Sequence, residues 1–440
     1  MQFDGYSLFM IVIADIVAIF FIYGIGKQFE TRLVSLIALA CFNISSCIGI
    51  IMNKENSSYI VTAMVFLVFM VLMICILMEG KYTITFGKNS MQFVSADRFE
   101  KAIKPISILG IMFFAIVVVS TFYPTNYFSQ ITQASFSITG QRFALRLSRS
   151  SGIAWIMDRI KLVLLPFFFM WLFTMRESWR KFISVYLIYS LCDMLQSSMI
   201  TSRSNYLQLI IFILIYLTLE KKISKKQLVV TSIIIGVLGI VLMVWFKDLI
   251  MGKSATYSGL GDYAQALLQS EYSGGQARLD YCNSVSDNLD FFHYLYHCFS
   301  APLFFLPDDG FPTLSYYFTT GVLGLNYGQV GYYVILPGAL GEGVMVLGKY
   351  FAWIYGIFIG VYAGLFFKFL RKHKHLRYVY VYFIIQFGFA FRGGIQAFVM
   401  RSLNCIVYFM IVMLIIRVFG TRNRTDAIMQ RKYDAFGGES

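Results

Sequence analysis

The stretch SSMITSRSNYLQLIIFILIYLTLE, residues 197–220, contains a short polar turn that is followed directly by an apolar run. A second apolar run, residues 182–200, precedes the turn, so only a few residues separate two hydrophobic segments. Lipid cannot hydrogen-bond to a peptide group, and a helix satisfies its own backbone within one segment. The stretch therefore predicts two membrane-spanning helices joined by a tight turn, with the permanent cation Arg203 in the turn.

Apolar runs of this kind recur along the whole chain of 440 residues, of which 58% are hydrophobic and only 14% are charged. An ordinary soluble protein is about one quarter charged, and about 20 apolar residues in a helix cross roughly 30 Å of hydrocarbon. We therefore predict an all-α, polytopic helical membrane protein with about eleven spans. The predicted spans are residues 6–26, 32–52, 59–79, 105–123, 152–175, 182–200, 204–219, 228–246, 347–369, 378–396 and 400–419.

The basic residues behind the net charge of +14 are concentrated in alternate connections between these spans. Such connections face the cytoplasm by the positive-inside rule, so the N-terminus is predicted outside and the C-terminus inside. Membrane orientation accounts for the charge excess, and no nucleic-acid partner is expected. The basic connections include Lys27 and Arg32, Lys101 and Lys104, Arg176, Arg180 and Lys181, Lys221 and Lys222, and Arg371, Lys372, Lys374 and Arg377.

The predicted outer side carries two longer connections, a medium loop at 124–151 and a long segment at 247–346. The long segment contains FFHYLYHCFSAPLFFLPDDGFPTLSYYF (291–318), which is too aromatic for a freely solvated loop. We expect it to form short amphipathic helices on the outer membrane surface or re-entrant pieces. The predicted organisation is a first bundle of about eight spans (1–246), the long periplasmic segment (247–346), the last three spans (347–419) and a cytoplasmic tail (420–440).

Arginines on the predicted outer side are candidates for an anion-binding site, because the positive-inside rule makes cations scarce there. Arginine carries a permanent charge and holds phosphate oxygens with a planar fork. We expect the set to bind a polyanionic headgroup such as a lipid diphosphate. For any single arginine the alternative is contact with ordinary lipid headgroups or with a nearby carboxylate. The set comprises Arg142, Arg146 and Arg149, which share one face if helical, and Arg203, Arg278 and Arg392, with Arg159 and Arg401 beside them.

Two further outer residues stand out, Glu342 for the cost of its position and His293 for its spacing from His297. Glu342 lies in LPGALGEGVMVLGKY (336–350), where the long segment is predicted to re-enter the membrane, and a carboxylate at that depth is costly unless used or paired. His293 stands four residues before His297, a spacing that can hold a metal on a helix. The sequence offers no third ligand, so we expect interfacial histidines and no metal. Within the spans, Asp193 is expected to pair with an arginine near Arg203, two turns away.

The seven cysteines divide into two groups. Cys282 and Cys298 share the long segment, and a disulfide between them is left open because spacing alone does not determine pairing. The other five lie in apolar runs, where cysteine behaves as a small core residue. They are Cys41, Cys47, Cys75, Cys192 and Cys405. Asp15, in the first predicted span, is expected to have a structural role.

Four features resemble the bacterial O-antigen and capsule polymerases of the Wzy type. One is the hairpin TSRSNYLQLIIFILIYLTL (201–219). The second is the glycine–glutamate element and glycine-dotted span GALGEGVMVLGKYFAWIYGIFIGVYAGLFFKFLRK (338–372), and the third is RGGIQAFVMR (392–401). The fourth is the long periplasmic segment before the last three spans. The resemblance covers most of the chain as architecture, while its motifs are short.

The resemblance implies an inverting, GT-C-like glycosyltransferase of the bacterial inner membrane that needs no cofactor. Its substrates would be undecaprenyl-diphosphate-linked glycans, joined at the periplasmic face. The outer arginines would bind the diphosphate, with Arg203 held still by its hairpin, and Glu342 or, second, His293 would accept the proton of the acceptor hydroxyl. The expected partners are these glycans, membrane lipids, a chain-length regulator and a flippase.

Other functions remain open from sequence alone. An O-antigen ligase uses the same class of donor with a large periplasmic loop. A flippase or other transporter would favour charges deep inside many spans, whereas polar residues here are concentrated on one outer face. A membrane acyltransferase would be expected to carry histidines within its spans, and all four histidines lie outside the predicted spans.

Overall fold

The computed structural model describes residues 4–52, 54–80, 96–123, 152–196, 203–224, 226–227, 230, 279–303, 313–326, 329 and 335–436. Over these residues the secondary structure is helical and contains no strand. We number the α-helices in chain order. They are α1 (Gly5–Gly24), α2 (Phe29–Phe42), α3 (Ile48–Met52), α4 (Ile60–Glu79), α5 (Ala96–Phe122), α6 (Gly152–Thr174), α7 (Trp179–Gln196), α8 (Arg203–Leu219), α9 (Leu279–Ser284), α10 (Phe291–Ser300), α11 (Leu314–Leu323), α12 (Gly338–Arg371), α13 (Arg377–Ala390) and α14 (Ile395–Phe436).

Six helical stretches of the described chain are long and apolar enough to cross a membrane. The prediction of an all-α architecture is thereby confirmed for the described residues, and these six stretches are candidate membrane spans. Fewer than eleven stretches qualify because α13 has only 14 residues and α6 carries three charged residues in its first half. The predicted span 228–246 lies almost entirely outside the described residues. The six stretches are Gly5–Gly24, Phe29–Ile51, Asn56–Glu79, Ile103–Phe122, Gly338–Arg371 and Ile395–Ile416.

Helix boundaries differ from the predicted ones near the end of the chain. α12 begins at Gly338, so its first residues belong to a helix and not to the long connecting segment. α13 ends at Ala390 because the next residues form a turn in which Gly393 has a φ of 128°. α14 begins at Ile395, so Arg401, which was grouped with the outer arginines as the second residue of the predicted span 400–419, is six residues inside a candidate span.

The closest helix packing joins α4 to α12 through a row of glycines on α12. A Cβ atom at Gly356 would lie 2.7 Å from the Phe66 carbonyl oxygen, and one at Gly360 would lie 2.6 Å from the Met70 carbonyl oxygen. Gly364 continues the row one turn later. Small residues four positions apart let two membrane helices approach backbone to backbone, where dispersion contacts replace the hydrophobic drive that lipid cannot supply.

The C-terminal end of α4 is fixed by cations from the end of α12. Lys368 donates hydrogen bonds to the Leu77 and Gly80 carbonyl oxygens, and Arg371 donates to the Met78 carbonyl oxygen at 2.7 Å. These carbonyls have no partner within their own helix and lie at the negative end of its dipole. The two helices are therefore joined at this end, opposite the turn between α13 and α14.

At the other end, α12 is kinked at Gly348, which has a φ of 74° and a ψ of 171°. The Lys349 backbone N–H donates to Asn283 Oδ1 at 2.8 Å, so α9 satisfies the group that the kink frees. The Thr62 hydroxyl donates to the Lys349 carbonyl oxygen, and the Tyr59 hydroxyl donates to Asp280 at 2.6 Å. The kink is thus clamped between α9 and the beginning of α4.

The glycine row predicts that Gly360→Ala destabilises the protein by about 1–3 kcal/mol, the usual cost of overpacking a tight contact. The added methyl group would force α4 and α12 apart at Met70. Thermal unfolding in detergent measures the change. Gly24→Ala is the control, because a Cβ there meets no atom within 4 Å. Equal unfolding temperatures for the two variants would contradict the close approach of the helices.

Candidate functional site

The first residues of α12 fold back against the residues that follow its kink. The Tyr355 hydroxyl donates a hydrogen bond of 2.9 Å to Glu342 Oε2, although 13 residues of continuous helix would place the two residues about 20 Å apart. Gly343 makes this reversal possible, because a Cβ there would already lie 3.1 Å from the Tyr355 Cβ atom. The reversal at Gly348 therefore places Glu342 inside the protein, where its side chain has no exposed surface.

The Glu342 carboxylate lies at the N-terminus of α14. The Gln396 N–H donates to Glu342 Oε2 at 3.4 Å, and the Ile395 N–H is a further donor. The first N–H groups of a helix have no partner within the helix, and they form the positive end of its dipole. Glu342 thus supplies to α14 the acceptor that its own sequence, Gly-Gly-Ile-Gln, lacks.

Tyr294 of α10 completes a buried chain of hydrogen bonds to the same carboxylate. The Tyr294 and Tyr355 hydroxyl oxygens are 2.8 Å apart. A phenol has one proton to donate. Because the Tyr355 proton is directed to Glu342, Tyr294 is the donor in this pair. Three helices, α10, α12 and α14, therefore meet at one carboxylate.

Backbone hydrogen bonds join the beginning of α12 to the turn between α13 and α14. The Gly338 N–H donates to the Arg392 carbonyl oxygen at 3.1 Å, and the Ala339 N–H donates to the Phe391 carbonyl oxygen at 2.9 Å. Gly393 has a positive φ, and a Cβ there would lie 2.9 Å from the Gly338 nitrogen. The GALGEG and RGGIQ segments, 50 residues apart in sequence, therefore form one structural unit.

The beginning of α11 is also hydrogen-bonded to this turn and to the start of α14. The Leu314 N–H donates to Gln396 Oε1 at 2.8 Å, and the Ser315 hydroxyl donates to the Gly393 carbonyl oxygen at 2.7 Å. The Arg392 side chain, by contrast, is exposed. The arrangement therefore fixes the backbone of the turn next to the exposed Arg392 side chain.

Two buried polar atoms of this unit have no hydrogen-bond partner in the structure. One is the acceptor Glu342 Oε1, and the other is the donor Gln396 Nε2. Leaving such an atom unpaired costs about 1–3 kcal/mol. Both atoms belong to residues that the Gln396 backbone N–H already joins.

The candidate residue His293 lies on α10 directly before Tyr294, and its side chain is exposed. The backbone N–H of His293 donates a hydrogen bond to Asp290 Oδ2 at the beginning of the helix. Sequence reasoning selected the histidine and missed the tyrosine that contacts Tyr355. The signal for Tyr294 was its position on the buried face of an amphipathic helix, where an aromatic residue is ordinarily a core residue.

The other predicted anion-binding arginines are placed only in part. Arg203 is the first residue of α8, and its side chain and the predicted turn before it lie outside what the structure describes. Arg142, Arg146, Arg149 and Arg278 lie outside the described residues. The diphosphate-binding role of all six arginines, Arg392 included, stays a prediction.

Three polar residues from different helices lie near one another: Arg401 of α14, Tyr382 of α13 and Asp193 of α7 are close enough to interact electrostatically. Arg401 is six residues into α14, and the Tyr382 ring packs against Phe169 with centroids 4.8 Å apart. The expectation that Asp193 pairs with an arginine near Arg203 stays a prediction, because the Arg203 side chain is not among those described. An ionised side chain within a membrane span is costly unless it is paired or used.

The remaining predicted residues have local roles in the described structure. Cys282 and Cys298 are buried free thiols. Asp15 accepts a hydrogen bond of 2.8 Å from the Asn43 side chain, which fits a structural role. Among the residues that the structure describes, no group of three or more histidine, cysteine or acidic side chains is placed to hold a metal ion.

Comparisons of the chain with protein-family models, with curated proteins and with solved structures found no match. Any function assigned to this protein therefore depends on its own residues and on their arrangement.

The hydrogen-bonded chain predicts that Tyr355→Phe lowers the free energy of unfolding by about 1–3 kcal/mol, because it leaves buried polar partners unpaired. Tyr350→Phe is the matched control, since Tyr350 is 78% exposed and five residues away on the same helix. Thermal unfolding of both variants in detergent checks the difference. If Tyr355→Phe unfolds at the temperature of Tyr350→Phe, the buried chain contributes nothing to stability.

Proposed function

We propose that the protein is a periplasmic-face glycosyltransferase that polymerises undecaprenyl-diphosphate-linked oligosaccharide repeat units into O-antigen or a related surface polysaccharide. In this proposal it is a GT-C-like, multi-pass protein of the bacterial inner membrane with about eleven spans. Its N-terminus is periplasmic and its C-terminus is cytoplasmic. It works with a flippase that supplies repeat units and with a chain-length regulator, and it needs no cofactor or metal.

The observation that supports this proposal most is the joining of the GALGEG and RGGIQ segments through Glu342. Both segments carry the resemblance to the Wzy-type polymerases, and the resemblance gives no contact between them. Their backbone hydrogen bonds hold Arg392 at the exposed turn. A rigid support for an exposed guanidinium group suits the binding of a lipid diphosphate at the end of the helix bundle.

The proposed reaction transfers the growing glycan from its lipid diphosphate to the newly flipped repeat unit. A hydroxyl oxygen of the acceptor sugar attacks the anomeric carbon of the donor, and the bond from that carbon to the diphosphate oxygen breaks. The configuration is inverted, and the lipid diphosphate leaves with the bonding electrons. Arginines positioned before the reaction stabilise the negative charge that develops on this leaving group. Arg203 and Arg392 are the proposed arginines, with Arg142, Arg146, Arg149 and Arg278 as further ligands.

The acceptor hydroxyl must also lose its proton to a base. Glu342 is the first candidate and His293 the second. Glu342 has an unpaired Oε1 atom but no exposed surface, so it can accept this proton only after the turn at Arg392 moves away from the beginning of α12. His293 is already exposed on α10.

The alternatives are an O-antigen ligase and a polysaccharide flippase or other transporter. A ligase would use the same donor and the same exposed arginine, with lipid A-core as acceptor. Arg401, which lies inside a candidate span and near Tyr382 and Asp193, is the observation that favours a transporter, because intramembrane charges often line a substrate path.

Lipopolysaccharide from a bacterial strain that lacks this gene separates these functions on a gel. The proposal predicts core carrying a single repeat unit, because flipping and ligation still operate. Core without any repeat unit would contradict polymerisation. It would favour the ligase if the lipid-linked glycan accumulates outside, and the flippase if it accumulates inside.

Complementation of this strain tests the arginines individually. Arg203→Ala and Arg392→Ala are expected to insert and accumulate as the unsubstituted protein does, yet to leave single repeat units on the gel. Arg180→Ala is the control, since Arg180 is an exposed arginine at the beginning of α7, on the side predicted to be cytoplasmic. Normal chain length in Arg203→Ala or Arg392→Ala at normal protein abundance would remove that arginine from the proposed site.

A further inference from the structure

Helix α10 contacts α12 far from the kinked end of that helix. The Phe291 and Phe299 rings both lie against Phe358, with centroid distances of 6.4 and 6.5 Å. Phe358 follows Gly348 by ten residues, which corresponds to about 15 Å along the helix axis. Because α12 belongs to a candidate span, α10 lies beside the middle of a membrane-crossing helix and not above its end.

The chain directly after α10 contacts α14 well beyond the beginning of that helix. The Tyr408 hydroxyl donates a hydrogen bond to the Pro302 carbonyl oxygen. Tyr408 is 13 residues beyond Ile395, or about 20 Å along α14. This contact also supplies a partner to a carbonyl that follows the end of a helix, which a backbone at membrane depth requires.

Helix α10 has one buried face and one exposed face. Tyr294 and Cys298 have no exposed area, whereas Phe292 is 76% exposed and Phe299 is 50% exposed. The exposed aromatic stripe, defined by Phe292, Tyr296 and Phe299, has spacings of four and three residues and so follows one helix face. Residues 291–303 contain no Lys, Arg, Asp or Glu. His293 and His297 lie to one side of the stripe.

We propose that α10 is a re-entrant helix that enters the bilayer from the turn end of the bundle, and that lipid acyl chains cover its exposed aromatic stripe. The depth of its contact with Phe358, measured along α12 from Gly348, is about half of the roughly 30 Å hydrocarbon layer. The stripe has no charged residue that water would have to solvate. Tyr350 and Phe351, at the beginning of the α12 span, are exposed aromatic residues of the same end of the molecule. This inference does not depend on the proposed enzymatic activity.

Spin-label accessibility of the full-length protein in liposomes tests the proposal. Tyr296→Cys and Phe299→Cys place a nitroxide label on the stripe, and Asn288→Cys is the control in the exposed turn that precedes α10. The unsubstituted protein, treated with the same label, gives the background from the native thiols. Size-exclusion chromatography confirms that each variant is folded. Oxygen concentrates among acyl chains, whereas a charged nickel chelate remains in water.

The proposal predicts that labels at 296 and 299 collide with oxygen several-fold more often than with the nickel chelate, and that the label at 288 shows the reverse. Frequent collisions with nickel at 296 and 299 would mean that water covers the stripe and would overturn the proposal. Infrequent collisions with both reagents would mean that another protein surface covers the stripe, which would overturn it equally.

Discussion

The interaction between the Glu342 carboxylate and the N-terminus of α14 determines how the turn end of the bundle is built. Without it, the first N–H groups of α14 would lack acceptors in a buried environment. The same carboxylate accepts a hydrogen bond from the Tyr355 hydroxyl, and the Tyr355 oxygen accepts one from the Tyr294 hydroxyl. One side chain therefore connects α10, α12 and α14, and the turn that carries Arg392 is placed by this connection.

The helical, membrane-spanning architecture was predictable because hydrocarbon imposes one requirement on every span, and a simple apolar count detects it. Ten of the eleven predicted spans coincide with helices of the described structure. The packing of α12 was less predictable. Gly356, Gly360 and Gly364 were recognised as a glycine-dotted span, but the sequence does not say that α4 is the partner. The sequence does not distinguish Gly348 from these three glycines, although the chain reverses its direction at Gly348.

Of the residues that form the candidate site, Glu342 could be selected from the sequence and its hydrogen-bond partners could not. A carboxylate beside a membrane span is conspicuous because its burial is costly. Its partners Tyr355 and Tyr294 look like ordinary aromatic residues of a span and of an amphipathic helix, and only the reversal at Gly348 brings them to the carboxylate. The position of Arg401 near Asp193 was missed for a related reason. Arg401 is distant in sequence, and its depth in the membrane depends on α14 beginning at Ile395.

Incubation of the purified protein with a synthetic undecaprenyl-diphosphate-linked repeat unit tests the central claim most directly. Mass spectrometry follows the length of the lipid-linked glycan and the release of undecaprenyl diphosphate. The account predicts lipid-linked glycans of two and more repeat units, with one undecaprenyl diphosphate released for each linkage formed. An unchanged substrate in the presence of active, folded protein and a competent acceptor would contradict it.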